Sequence, residues 1–131
     1  MAMEQSILIS TKKILGIPNE YEVYDLDIMT HINTAFSIIY QLGVGPEEDF
    51  FIENYKARWD DFELPQTQLN VIRTYVFLKV KSLFDPPTIG YLVDATDRQL
   101  NELEWRLNVM REGLTYPMPE EVTEYDYTGS G

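Results

Sequence analysis

The chain writes the same stop twice. Leu15–Gly16–Ile17–Pro18 and Leu42–Gly43–Val44–Gly45–Pro46 each place a leucine at the end of an apolar stripe, then glycine, then a β-branched residue, with proline shortly after. Glycine enters the left-handed conformation without a Cβ clash, and the next apolar residue folds back onto the last helical turn. A phosphate-cradling loop would instead precede a helix, carry a lysine and present the positive end of a helix dipole. Here the segment follows a helical pattern and runs on into Glu47, Glu48 and Asp49, which repel an anion. Both segments are helix punctuation, so the chain must fold as rods broken at these points.

Four apolar stripes at helical spacing fit that frame. Ile7, Leu8, Thr11, Ile14 and Leu15 share one face of a first helix, with Lys12 and Lys13 turned outward. A second helix over about Tyr24–Leu42 carries Ile28, Ile32, Ala35, Phe36, Ile39 and Leu42, and Asp25 and Asp27 supply capping oxygens at its start. A third begins near Pro65 or Gln66, where proline gives up only an unpaired amide. Its stripe is Leu69, Ile72, Val76, Val80 and Leu83, with Val71, Tyr75 and Leu78 as a second apolar edge, which makes it the most buried helix or one buried again against a partner. Phe84–Asp85–Pro86–Pro87 ends it, because a residue before proline is pushed out of the helical region. The fourth runs from about Thr88 to Arg111, with Leu92, Leu100, Leu103, Leu107 and Met110 inward and Asp94, Arg98, Glu102 and Arg106 as an i,i+4 ladder on the wet side.

Two segments stand outside the rods. Residues 43–64 exceed the roughly 2–8 residues that usually join bundle helices. They carry Asp49–Tyr55 and Arg58–Phe62, which read as a short strand or hairpin near Phe51 and Ile52 followed by a helical turn around Trp59–Phe62. Phe51, Tyr55, Trp59 and Phe62 in this connection are either a satellite of the core or an interface. Residues 114–131, with two prolines, many acids and Tyr116, Tyr125 and Tyr127, cannot build a core alone and read as an extended tail. For those three tyrosines an interface or disorder is favoured, since tyrosine is over-used where proteins meet. The expected organisation is thus an all-α fold: a four-helix domain over residues 1–113 and a tail over residues 114–131.

The charge narrows function further. The 22 acids against 10 bases give a formal net charge of −12. Such a chain lacks the basic footprint that gripping nucleic acid requires. It suits solubility, or a surface that lies near DNA without holding it. The absence of cysteine excludes disulfides and thiolate metal sites, and no segment approaches the ~20 apolar residues of a bilayer span. The single histidine, His31, has Asp27 one turn earlier as its expected partner and supports no catalytic triad. Asp60, Asp61 and Glu63 lie close together but lack the ligand pattern of a calcium loop. No residue set argues for an enzyme, a cofactor or a metal.

The ordered set Ile7–Tyr21, Asp27–Pro46, Trp59–Phe62, Tyr75–Pro87 and Glu102–Asn108, spanning about residues 6–110, resembles the head–tail connector (adaptor) proteins of tailed phages and prophages, a family that includes the HK97 and SPP1 connectors. That resemblance implies a small helical, non-enzymatic virion protein made in the bacterial cytoplasm. It implies a dodecameric ring of the chain beneath the portal protein at the virion neck, extending the channel through which DNA passes without specific binding. It further implies a docking face for stopper or tail completion proteins, with the tail at Leu114–Tyr127 reaching the portal or a neighbouring copy and Glu102–Asn108 in the ring body. The sequence keeps two rivals open: a small regulatory enzyme or binding module using the Trp59–Phe62 loop, which requires a bound ion or ligand, and an acidic DNA mimic that inhibits a DNA-binding protein. The mimic predicts a monomer or dimer tightly bound to a basic partner.

Overall fold

Three helices end where the punctuation places them, and the fourth runs past its expected end near Arg111 to Thr115, into the first two residues of the expected tail. The computed structural model describes residues 5–46 and 48–115. Among these residues there are four α-helices, α1 (Ile7–Leu15), α2 (Asp25–Gln41), α3 (Gln66–Phe84) and α4 (Gly90–Thr115), and a 3-10 turn at Trp59–Phe62. Gly16 takes φ 78° and Gly43 φ 85°. After Gly16, the Ile17 amide donates to the Lys12 carbonyl at 2.9 Å; after Gly43, the Val44 amide donates to the Ile39 carbonyl at 3.2 Å. Each is the six-to-one bond of a Schellman stop, and Val44 is buried against the core as that motif requires.

α3 is the axis. It packs against α1, α2, α4 and the 3-10 turn, and Leu69, Ile72, Tyr75, Val76 and Val80 are buried on it. Pro65 sits just before the helix as its N-cap, one position earlier than the first-turn placement expected for proline. Asp85, extended at φ −140°, ends α3 ahead of the two prolines. From α2 come Ile28, Ile32, Ala35, Phe36 and Ile39, and from α4 come Leu100, Leu103 and Leu107. Each such large apolar side chain contributes roughly 1.5–3 kcal/mol when fully buried.

Several expectations are corrected. Lys12 does not point outward: its side chain is 1% exposed and its ammonium meets Asp25 Oδ1 at 2.8 Å. The same ammonium donates to the carbonyls of Asn19 and Tyr21, both at 2.8 Å. A buried ammonium must be fully partnered, and this one ties the end of α1 to the start of α2. Asp25 is spent on that pair rather than on a cap, and Tyr24 occupies the N-cap without a side-chain bond. The stripes also run off the core at their ends, leaving Ile14 half exposed and Leu83 and Leu92 exposed. Asp94, Arg98, Glu102 and Arg106 do face solvent, yet no ion pair among the described residues joins them.

The 43–64 connection departs most. No hairpin forms at Phe51 and Ile52; the one bridge among the described residues joins Ser6 to Arg58. The Asn33 amide replaces the missing strand, accepting from the Ile52 amide at 2.7 Å and donating to the Ile52 carbonyl at 3.0 Å. That pairing fastens the connection along α2. The 3-10 turn then buries Trp59 and Phe62 fully. The Trp59 indole N–H donates to Ser10 Oγ at 2.9 Å, and the Ile7 amide donates to the Ala57 carbonyl at 3.0 Å. The connection is thus a fifth structural layer of the domain.

Candidate functional site

With the core closed by the chain's own residues, function must be sought in what remains exposed. The connection divides its aromatic residues between the two roles. Phe50, Phe36 and Phe62 form a ring cluster, with centroids 5.2 Å apart for Phe36–Phe50, 5.2 Å for Phe36–Phe62 and 4.6 Å for Phe50–Phe62. Trp59 adds edge contacts to Phe36 and to Phe77 of α3. The Arg73 guanidinium lies 5.1 Å from the Trp59 centroid and 5.7 Å from that of Phe77. Burial holds this guanidinium below its ordinary value, and the ring faces compensate part of its lost hydration.

Trp59 and Phe62 therefore belong to this subunit's core, since they have no surface left to offer a partner. Phe51 and Tyr55 do offer one, at 61% and 57% exposed. They flank Ile52, whose burial anchors them, and stand beside the exposed Asp49 and Glu53. Ile52 is tied to α2 through Asn33, whereas the Tyr55 carbonyl accepts from Ser6 Oγ at 2.6 Å, at the start of α1. Tyr116, Tyr125 and Tyr127, the other candidate interface residues, lie outside the described residues, as does nearly all of the 114–131 tail.

A second exposed surface lies between α3 and α4. The first three turns of α4 place no side chain in the core, so the two helices diverge into a trough. Its inner part, about 460 Å³, is floored by Ile14, Phe77, Leu78 and Leu103 and edged by Lys81 and Glu102. A second part, about 540 Å³, continues past Lys81 and Asp85 to Ile89 and Leu92. Ile89, Tyr91, Leu92 and Val93 are all exposed along this stretch. Farther along α4, Trp105 and Val109 are exposed beside Thr67, Gln68 and Val71 at the start of α3.

Sequence reasoning missed the trough, although one signal was present. Thr96 and Gln99 occupy the helical positions between Leu92 and Leu100, so the inward stripe of α4 is broken for two turns. Trp105 was assigned to the body of an assembly only through resemblance; periodicity gave it no role.

Other candidates resolve into local structure. Asp61 Oδ2 accepts from the Arg58 amide at 2.9 Å, and Asp60 pairs with the Arg58 guanidinium at 3.1 Å. Those carboxylates hold the 3-10 turn, and among the described residues no three His, Asp or Glu side chains are grouped to bind a metal. His31 meets the Phe84 ring, 6.5 Å between centroids, in place of the expected hydrogen bond with Asp27. Tyr24 stacks edge-on with Phe84 at 5.4 Å and with Tyr21 at 5.8 Å. Among the described residues no helix is long and apolar enough to cross a membrane.

Comparison with known proteins agrees with a surface built for assembly. Residues 7–114 match a family model described as phage connector protein. No curated protein matches the chain, and no solved structure does.

Proposed function

The chain belongs to the phage connector protein family, and from that premise we propose that its copies close into a ring beneath the portal protein in the virion neck. A structural head–tail connector role follows from the family itself. The finer reading is a dodecamer that extends the DNA channel and offers a docking face to stopper or tail completion proteins.

One observation supports assembly above the rest. The subunit completes its own core and still exposes Phe51, Tyr55, Ile89, Tyr91 and Leu92. Exposed aromatic and aliphatic side chains beyond a completed core are the material of association surfaces. The net charge of −12 suits a channel or rim that DNA passes without adhering, because like charge opposes phosphate contact. In this reading residues 1–113 form the ring subunit, and residues 114–131 reach the portal or a neighbouring copy.

Electron microscopy of the protein mixed with its cognate portal tests the proposal. Ring density stacked on the portal is the expected result. A chain that leaves the portal bare over a broad concentration range, and is recovered instead with a tightly held basic protein, contradicts it and favours the DNA mimic.

A further inference from the structure

A separate apolar groove lies along the second half of α4. Val71 and Met110 line it with the exposed Trp105 and Val109, and Thr67, Gln68 and Arg106 complete it, about 400 Å³ in all. We propose that the chain's own C-terminal segment, residues 116–127, occupies this groove in the free subunit, with Glu120 and Glu121 on Arg106 and Val122 on Trp105.

Reach, charge and tethering each favour that occupant. α4 ends at Thr115. At ~1.5 Å per helical residue, Val109 lies about 9 Å and Trp105 about 15 Å back from that end. Pro117 and Pro119 follow at once, and proline does not continue a helix. At ~3.3 Å per extended residue, a chain doubling back from Pro117 brings Glu121 about 13 Å along, level with Arg106, and Val122 level with Trp105. Arg106 is the one charged side chain among the described residues that line the groove. The acids nearest to it in sequence lie elsewhere: Glu102 edges the trough, Glu104 accepts from the Tyr75 hydroxyl, and Glu112 stands 3.9 Å from Arg111. On the other wall, α3 begins with no acid in its first turn and no side-chain cap, so its positive dipole end adds to the preference for an acidic chain. Residues 116–131 supply Glu120, Glu121, Glu124 and Asp126 with no base, and Met118, Val122 and three tyrosines to cover the rings. The trough is a poorer seat for that segment, because Glu102 and Asp85 line it. A tail joined to the groove's own helix is present at an effective concentration in the millimolar range, which a second copy must exceed to compete.

Residues 116–131 fall beyond the 7–114 span that matches the family model, and the docking stands apart from the connector reading. Its consequence rests on that reading: a tail held on α4 is withheld from the portal until assembly lifts it.

The absence of cysteine allows a direct test on the full chain. Thr67→Cys, at an exposed position lining the groove, is combined with Val122→Cys, oxidised mildly in dilute solution and analysed by size and peptide mapping. A link within one chain is the expected product. Adding Arg106→Glu is expected to slow it about two- to fivefold, as losing a partly exposed ion pair does, and adding Glu120→Lys with Glu121→Lys to that variant to restore the rate. The oxidised chain is expected to bind the cognate portal about tenfold more weakly than the same chain after reduction.

Links formed only between chains overturn docking of the chain's own tail in favour of a neighbouring copy. No link, or a rate indifferent to both charge reversals, overturns the docking and leaves the connector reading intact. Equal portal binding by the oxidised and reduced chains overturns the withholding of the tail. A chain that links as expected yet binds no portal in either form upholds the docking and overturns the connector reading.

Discussion

Replacing Trp59 measures how far the 43–64 connection is part of the fold. The indole is fully buried, touches Phe36 and Phe77, and donates to Ser10 Oγ. Trp59→Ala removes the whole ring and is expected to cost about 3–5 kcal/mol. That is a large share of the roughly 5–15 kcal/mol by which native domains are stable. Trp59→Phe removes roughly 40 Å³, or about 1 kcal/mol of cavity at ~24 cal/mol per Å³, with a comparable transfer term. The lost hydrogen bond adds about 1 kcal/mol, for a total near 2–3 kcal/mol. Ser10→Ala leaves the indole N–H buried without an acceptor and is expected to cost about 1–3 kcal/mol. Once Phe replaces Trp59 there is no N–H to orphan, so the double variant should fall short of the sum by about 1–2 kcal/mol. Urea unfolding followed by far-ultraviolet circular dichroism is the assay, because the remaining Trp105 is 64% exposed and its fluorescence reports little of the core. A Trp59→Ala cost below about 1 kcal/mol, or strict additivity in the cycle, refutes the reasoning.

Three further outcomes follow from buried polar groups. Lys12→Met strands Asp25 Oδ1 and the carbonyls of Asn19 and Tyr21; because Asp25 is a quarter exposed, the expected loss in thermal or urea unfolding is about 2–4 kcal/mol, toward the low end for a broken buried pair. Asn33→Asp keeps the acceptor for the Ile52 amide but sets a carboxylate against the Ile52 carbonyl, so it should destabilise by about 1–3 kcal/mol and speed amide exchange at Ile52 without unfolding α2. The Tyr75 hydroxyl donates to Glu104 at 2.8 Å, and burial first, then Glu104, raises its pKa. A pKa raised in the folded state stabilises below the unfolded tyrosine value of about 10, and that contribution is lost as pH climbs above it. Unfolding free energy should therefore fall with rising pH in that alkaline range, and Tyr75→Phe should flatten the decline.

The elements were legible where local chemistry decided them. Glycine followed by a β-branched residue and proline marks a stop at Gly16 and Gly43 because the left-handed turn is satisfied within a few residues. The interiors of the stripes were legible for the same reason, as Ile28, Ile32, Ile72 and Leu107 show by their complete burial. What was not legible depends on partners distant along the chain. Lys12 reads as a wet residue until Asn19, Tyr21 and Asp25 gather around it. Ile52 reads as a strand until Asn33, 19 residues earlier, supplies both of its hydrogen bonds. Phe51 and Trp59 are both aromatic residues of one segment, and only the docking of the 3-10 turn on Ser10 and Arg73 separates a surface ring from a core ring. The trough needed the relative course of two helices, which the spacing on either one does not encode.

Hydroxyl-radical footprinting of the free chain and of the chain in isolated neck complexes tests the assembly claim most directly. The account predicts Trp59 and Phe62 protected in both states, and Phe51, Tyr55 and Leu92 modified in the free chain but shielded in the complex. Equal modification of those three residues in both states would contradict it.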